Sequence, residues 1–198
     1  MAKGIVIGIV IMGGLAKTLL TMVYQSQTKL SRDQLGERLK SVKLLSLDVD
    51  GVLTDGGLYY TDEGLAFRKF NVRDGLGIVL VREAGLEVAI ISAGRPASTV
   101  TRAKDLGIEH VRVGVSDKLK ELSEICETLD IHLNDVAHIG DDLPDLGLMQ
   151  AVGVPITVAD GADAVKKIAA YVTERDGGQG AVREICDLLL ESQARLGD

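Results

Sequence analysis

Cysteine is nearly missing from this chain, with only Cys126 and Cys186 among 198 residues. Each falls within an apolar helical pattern and neither shows metal-ligand spacing, so reduced structural thiols are expected rather than a disulfide or a zinc site. Such thiols fit a reducing cytoplasm. Basic stripes are missing too: the net charge is −7 with the signs mixed, and nothing argues for nucleic acid. Histidine is scarce. His110, His132 and His138 stand apart from one another and from the acidic motifs, so core or surface roles are expected for all three. No internal repeat and no low-complexity linker marks a second domain. A chain of 198 residues with 46% hydrophobic content fills one core, and a single domain is expected.

One long apolar run does occur, from Ile5 to Val23, interrupted by Lys17 and three glycines. Its length is close to the roughly 20 residues of a membrane-spanning helix. Lys17, the glycines, the weak basic start at Lys3 and the lack of an Ala-x-Ala cleavage site favour an accessory or oligomer-packing segment, with an anchor as the alternative. If it spans, the positive flank of Lys29, Arg32, Arg38, Lys40 and Lys43 holds the rest in the cytoplasm. The compartment is the same either way.

The chain is organised around Leu44-Leu45-Ser46-Leu47-Asp48-Val49-Asp50-Gly51, a short apolar run ending in two carboxylates. Bounded by a Gly-rich turn, it reads as a buried parallel strand, which puts Asp48 and Asp50 where open α/β sheets bind ligands. Like charges held so close call for a cation, and oxygen ligation suits Mg²⁺. One aspartate could then attack phosphorus while the other moves protons. Taken alone, Asp-x-Asp-Gly is equally a strand-to-turn junction.

Residues 27 to 42 read as a polar amphipathic helix, and two aromatic-rich runs about Thr61-Asp62-Glu63-Gly64 read as a β-hairpin. Helices and strands then alternate: helix 74–84, strand 87–91, helix 96–106, strand 110–113, helix 117–129, strand 136–139, helix 142–151, strand 154–158, strand 171–173 and helix 181–194. That alternation predicts an α/β fold with a parallel sheet covered on both faces. Three further strand tips carry chemistry. Ser92-Ala93-Gly94-Arg95 offers a hydroxyl and backbone N–H groups before a helix, as a phosphate site or an ordinary Ser cap. Lys118 sits in a first helical turn, unfavourable there unless an anion offsets it. Gly140-Asp141-Asp142-Leu143-Pro144-Asp145 is a second acidic cluster, and two such clusters on neighbouring strand ends favour a metal site over capping.

Asp48-Val49-Asp50-Gly51-Val52, Ser92, Lys118 and Gly140-Asp141-Asp142-x-x-Asp145 resemble, in order, the four motifs of the haloacid dehalogenase-type phosphatases. From about residue 40 onward the chain is similar to a capless branch of that family acting on phosphorylated keto-deoxy sugar acids, through Phe70-Asn71-Val72-Arg73-Asp74-Gly75 and Gly177-Gly178-Gln179-Gly180-Ala181-Val182-Arg183-Glu184. The resemblance implies a Rossmann-like three-layer sandwich over residues 31–198, with a small hairpin flap and no cap domain. It implies Asp48 as nucleophile, Asp50 as general acid/base, Mg²⁺ held by Asp48, the Asp50 carbonyl and Asp141, and phosphate held by Ser92 and Lys118. It further implies a homotetramer in which the Gly-rich tail, with Gly178 and Gln179 at the substrate, closes a neighbour's site. Arg73 is then a partner for the sugar acid's carboxylate, or else forms a salt bridge to Asp74 or Glu63. The chain departs from the pattern twice: Ser-Ala-Gly-Arg stands where Thr-Gly-Arg is expected, shifting Arg95 by one, and Gln179 stands where arginine is common. An eight-carbon substrate is expected, with a nine-carbon acid, a broader phosphosugar set or a catalytically idle tetramerisation module as alternatives.

Overall fold

In the computed structural model, which describes residues 28–64 and 66–193, strand β1 (Leu44–Leu47) is buried along its whole length. The apolar segment 5–23 lies outside the described residues. Five more strands run parallel to β1: β4 (Glu87–Ser92), β5 (His110–Val113), β6 (Val136–Gly140), β7 (Val154–Thr157) and β8 (Tyr171–Val172). Their order across the sheet is β5-β4-β1-β6-β7-β8. The chain builds outward from β1 to β5, then returns to the other side of β1 with β6. That reversal opens a crevice at the carboxyl ends of β1 and β6, where such sheets place their ligands.

Alternation along β1 divides its contacts between two layers. Leu45 and Leu47 join a core with Leu35 and Leu39 of α1 (Arg32–Leu39), Ile78 and Val81 of α2 (Val72–Glu83), and Ile185 and Leu189 of α7 (Ala181–Ser192). Leu44 faces the other way, against Leu122, Ile125 and Cys126 of α4 (Lys118–Leu129) and Leu148 of α5 (Leu146–Ala151). Both cysteines are free and buried, as expected. Burial pushes the Cys186 thiol well above its ordinary pKa. Among the described residues no helix is long and apolar enough to cross a membrane.

The helix ends show local causes. Ser31 and Gln34 form a reciprocal capping box at α1, which confines a helix expected over 27 to 42 to eight residues. Asn71 caps α2 by accepting from Arg73 N at 2.9 Å, and Asp117 caps α4 by accepting from Lys120 N at 3.0 Å. Three expectations need correction. Ser92 ends β4 and caps nothing, because α3 (Ala97–Asp105) starts five residues later with Pro96 at its N-cap. The helix expected over 142–151 is a 3₁₀ turn, Leu143–Asp145, followed by α5. A short helix, α6 (Asp163–Ile168), was not foreseen, since six residues are too few to display a helical period.

The hairpin forms with strands of two residues each, β2 (Tyr59–Tyr60) and β3 (Ala66–Phe67), and the rings of Tyr59 and Phe67 stack at 5.4 Å. Between Asp48 and Ser92 lie only this hairpin and α2, and between Ser92 and Lys118 only α3 and β5, so no cap domain interrupts the sheet.

Helix α7 is fastened to α2 by a buried carboxylate. Asp74 accepts from Arg183 N at 2.8 Å and from Gly180 N at 3.3 Å. Burial raises its pKa despite these amides. Asp74→Ala strands one buried and one half-buried donor and is expected to cost about 1–3 kcal/mol in urea denaturation, with Asp74→Asn recovering part of the loss.

Candidate active site

Asp48 is the residue at which β1 stops, its amide donating to Ile139 O at 3.0 Å. The chain then turns tightly: the amides of Val52, Leu53 and Thr54 all point at Val49 O. Gly51 is required in that turn for two reasons. Its φ is +87°, and a Cβ there would collide with Oδ2 of Asp141, which leans over it from the end of β6. Asp145 folds back over Gly140 on the same loop, and its Oδ2 accepts from Asp141 N at 3.3 Å.

Lys118, the first residue of α4, reaches into this cluster with its side chain only 4% exposed. Its ammonium lies 2.7 Å from Asp145 Oδ1 and 2.9 Å from Asp48 Oδ1. The anions that a lysine at a helix start calls for are therefore two aspartates of the site itself. Burial disfavours the ammonium, yet attraction from Asp48 and Asp145 outweighs it and the amine's pKa is raised. Asp145 is also desolvated, but its contacts with His138 and Lys118 prevail and hold it at about 2. Asp48 moves the other way, upward, through burial and the nearby Asp145. Asp141 is pushed up to about 8 by burial and then by Asp48, Asp145 and Asp142.

Carboxylate oxygens of Asp48, Asp141 and Asp145 lie within 4.8 Å of one another. Fully ionised, three carboxylates against the one ammonium leave two uncompensated negative charges. An oxygen-only donor set with that charge fits a divalent ion such as Mg²⁺. Asp145 is already committed to Lys118, His138 and the Asp141 amide, so Asp48 and Asp141 are the carboxylates with free coordination capacity.

Asp50 faces elsewhere. Its carboxylate is gripped by Arg68, with Nε at 2.5 Å from Oδ1 and Nη2 at 3.0 Å from Oδ2. Arg68 follows β3, so the flap is tied to this aspartate by a fork of the kind that suits a carboxylate. The Asp50 side chain is therefore no part of the carboxylate cluster, consistent with a metal contact through its carbonyl alone. Ser92 is buried beside it. A Cβ on Gly94 would stand 3.2 Å from Asp50 Oδ2 and 3.5 Å from Ser92 Oγ, which puts all three at one corner. Arg95 instead lies over Gly114 at the end of β5, its Nη2 3.4 Å from Gly114 O.

The structure thus brings Asp48, Asp50, Ser92, Lys118 and Asp141 to adjoining strand tips, and does not bring Arg73 there. Arg73 forms no salt bridge among the described residues, with Asp74 or Glu63 or otherwise. It lines a separate cleft with Arg175, Arg183 and Glu184. The Gly-rich stretch packs against the loop that follows β1. Gly178 is buried on its own chain, donating to Val52 O at 2.9 Å and accepting from Asn71 Nδ2 at 3.0 Å, while a Cβ on Gly177 would collide with Gly51 O. Residues 177–180 cover the chain's own site loop, and Gln179 projects outward, exposed. His138 corrects a further reading: it is fully buried and touches Asp145 at 3.3 Å, so it does not stand apart from the acidic motifs. Arg68 and His138 carried no sequence signal, because neither falls in a motif: Arg68 reaches Asp50 only through the fold-back of the hairpin, and His138 reaches Asp145 only through the turn after β6.

Fold and cluster together are those of a hydrolase with paired aspartates at the tip of a central parallel strand. Residues 81–185 match the haloacid dehalogenase-like hydrolases, and the chain belongs to that family. It is 43% identical over 164 residues, 83% of this chain and 88% of the other, to the 3-deoxy-D-manno-octulosonate 8-phosphate phosphatase of Yersinia pestis. Its likeness to the enzyme of the same name from Escherichia coli strain K12 is 44% over 161 residues, 81% and 86% of the two chains. Among solved structures, the Moraxella catarrhalis enzyme in complex with magnesium ion, phosphate ion and KDO aligns with a TM-score of 0.80. That match has 40% identity and covers 82% of this chain and 94% of the other.

Proposed function

We propose that this protein hydrolyses 3-deoxy-D-manno-octulosonate 8-phosphate to KDO and inorganic phosphate. The observation that carries the reading is the meeting of Asp48, Lys118, Asp141 and Asp145 in one buried cluster, in a chain so similar to phosphatases of that substrate. Lys118 occupies Oδ1 of Asp48, leaving Oδ2 to attack phosphorus. The bond from phosphorus to the sugar's terminal oxygen breaks as an aspartyl-phosphate forms, and Asp50, in its protonated form and released from Arg68, gives that oxygen its proton. Asp50 then takes a proton from water as the water oxygen attacks the same phosphorus. Phosphate leaves and Asp48 is restored. Ser92 and Lys118 hold the phosphoryl oxygens while charge develops on them. Asp48, Asp141 and the Asp50 carbonyl are the groups that would hold Mg²⁺, which when bound supplies further charge stabilisation at the phosphoryl group.

A homotetramer in the cytoplasm belongs to this reading. Leu58, Tyr60 and Phe67 of the flap are 50%, 64% and 53% exposed, an apolar surface suited to self-association. Free buried thiols fit a reducing compartment.

The test is phosphate release from a panel of phosphosugars, eight- and nine-carbon keto acids included, with Mg²⁺ and with chelator, alongside sedimentation of the same preparation. A Mg²⁺-dependent preference for the eight-carbon acid is expected. Preference for the nine-carbon acid, or equal rates across the panel, would reassign the substrate. No release at all would leave a tetramerisation module, and a fully active monomer would remove the tetramer.

A further inference from the structure

On the sheet face covered by α4 and α5, β1 and β6 pair in register, Leu44 beside Val136 and Ser46 beside His138. The first pair belongs to the apolar core of that layer. The second is polar and fully buried. One further step along the same face stand Asp48 and Gly140. A buried imidazole and hydroxyl are costly unless each is satisfied, and here they satisfy one another, with Nδ1 of His138 3.0 Å from Ser46 Oγ. The other ring nitrogen, Nε2, is 3.3 Å from Asp145 Oδ1, the same oxygen that accepts from Lys118 at 2.7 Å.

Directions follow from donor chemistry. The ionised Asp145 only accepts, so Nε2 carries the hydrogen that meets it; in the neutral ring Nδ1 is then bare and accepts from the Ser46 hydroxyl. The hydrogen bonds thus run without a break from Ser46 through His138 to Asp145, where Lys118 meets them from the nucleophile's side.

We propose that His138, oriented by Ser46, is a positioning residue for hydrolysis. It touches neither substrate nor reacting atoms. It fixes Oδ1 of Asp145 from behind, and Asp145 in turn holds the Lys118 ammonium against Oδ1 of Asp48, so that the free oxygen of the nucleophile and the charge beside it keep one geometry. Asp145 has few other anchors, since Gly140 beneath it offers no side chain and its Oδ2 receives only the long bond from Asp141 N. This inference rests on the phosphatase reading of the site.

Two amide variants separate positioning from space-filling. The amide nitrogen of His138→Gln reaches the place of Nε2 and can still donate to Asp145; that of His138→Asn reaches only the place of Nδ1. Kinetics on the phosphorylated eight-carbon acid are expected to show kcat reduced about 10- to 100-fold in His138→Asn, as for other supporting partners of site ligands, with KM little changed. His138→Gln should stay within a few-fold of the wild type, and Ser46→Ala between the two. Equal kcat in the Gln and Asn variants, at either level, would overturn the proposal. Nitrogen-15 NMR of the His138 ring in the resting protein reads the same arrangement without substrate. A protonated Nε2 with a bare Nδ1 supports it, and the opposite tautomer overturns it. A wild type that releases no phosphate would count against the activity reading, while the NMR result still decides this one.

Discussion

Asp48→Asn is expected to abolish phosphate release, by a factor on the order of 10⁴ or more, the scale at which loss of a covalent nucleophile falls in other hydrolases. The amide keeps the shape of the carboxylate and its carbonyl oxygen can still accept from Lys118, whose ammonium retains Asp145 at 2.7 Å. Folding should therefore survive, and thermal melting should stay near that of the parent. The amide cannot form a stable ester with phosphorus, so the substituted protein should bind the sugar acid phosphate and hold it unchanged. Phosphate release and substrate binding, measured on the same sample, check both halves. Retention of more than about a hundredth of the activity would move the nucleophile to another group.

Lys118→Met acts on stability as well as rate. The ammonium is shared by two aspartates and is almost wholly out of water, so its loss leaves Asp48 and Asp145 buried beside one another with nothing between them. Breaking a buried pair in this way costs about 3–5 kcal/mol, far more than surface ion pairs contribute. Melting in chelator should fall accordingly, and Mg²⁺ should restore part of the loss, because a divalent ion beside Asp48 offsets some of the uncompensated negative charge. Turnover should fall about 10²- to 10³-fold, since Lys118 is the one cation in the described cluster facing the developing phosphoryl charge. A melting point unchanged in chelator would show that the ion pair does not form in solution.

The strand tips with an acidic or basic group at their ends were legible. The strand that ends in Asp48, the lysine opening α4 and the aspartates after β6 each combine a short apolar run with a chemical group at its end, and both parts survive folding unchanged. Groups that reach the site across the sheet were not legible. His138 looks like any isolated histidine until the register sets it beside Ser46, and Arg68 looks like a surface charge until the hairpin returns it to Asp50. At the Gly-rich stretch the sequence carried no sign that the backbone of Gly178 pairs with Val52 and Asn71 of its own chain.

The contact between Gly51 and Asp141 fixes the distance between two loops of the acidic cluster. The loop after β1 and the loop after β6 are spaced by a missing methyl group, backbone against carboxylate, so the gap between them is not adjustable by exchanging side chains. Arg73 and Gln179 lie outside that contact and face solvent. Substitutions at exposed positions such as these can therefore accumulate while the two acidic loops keep their spacing.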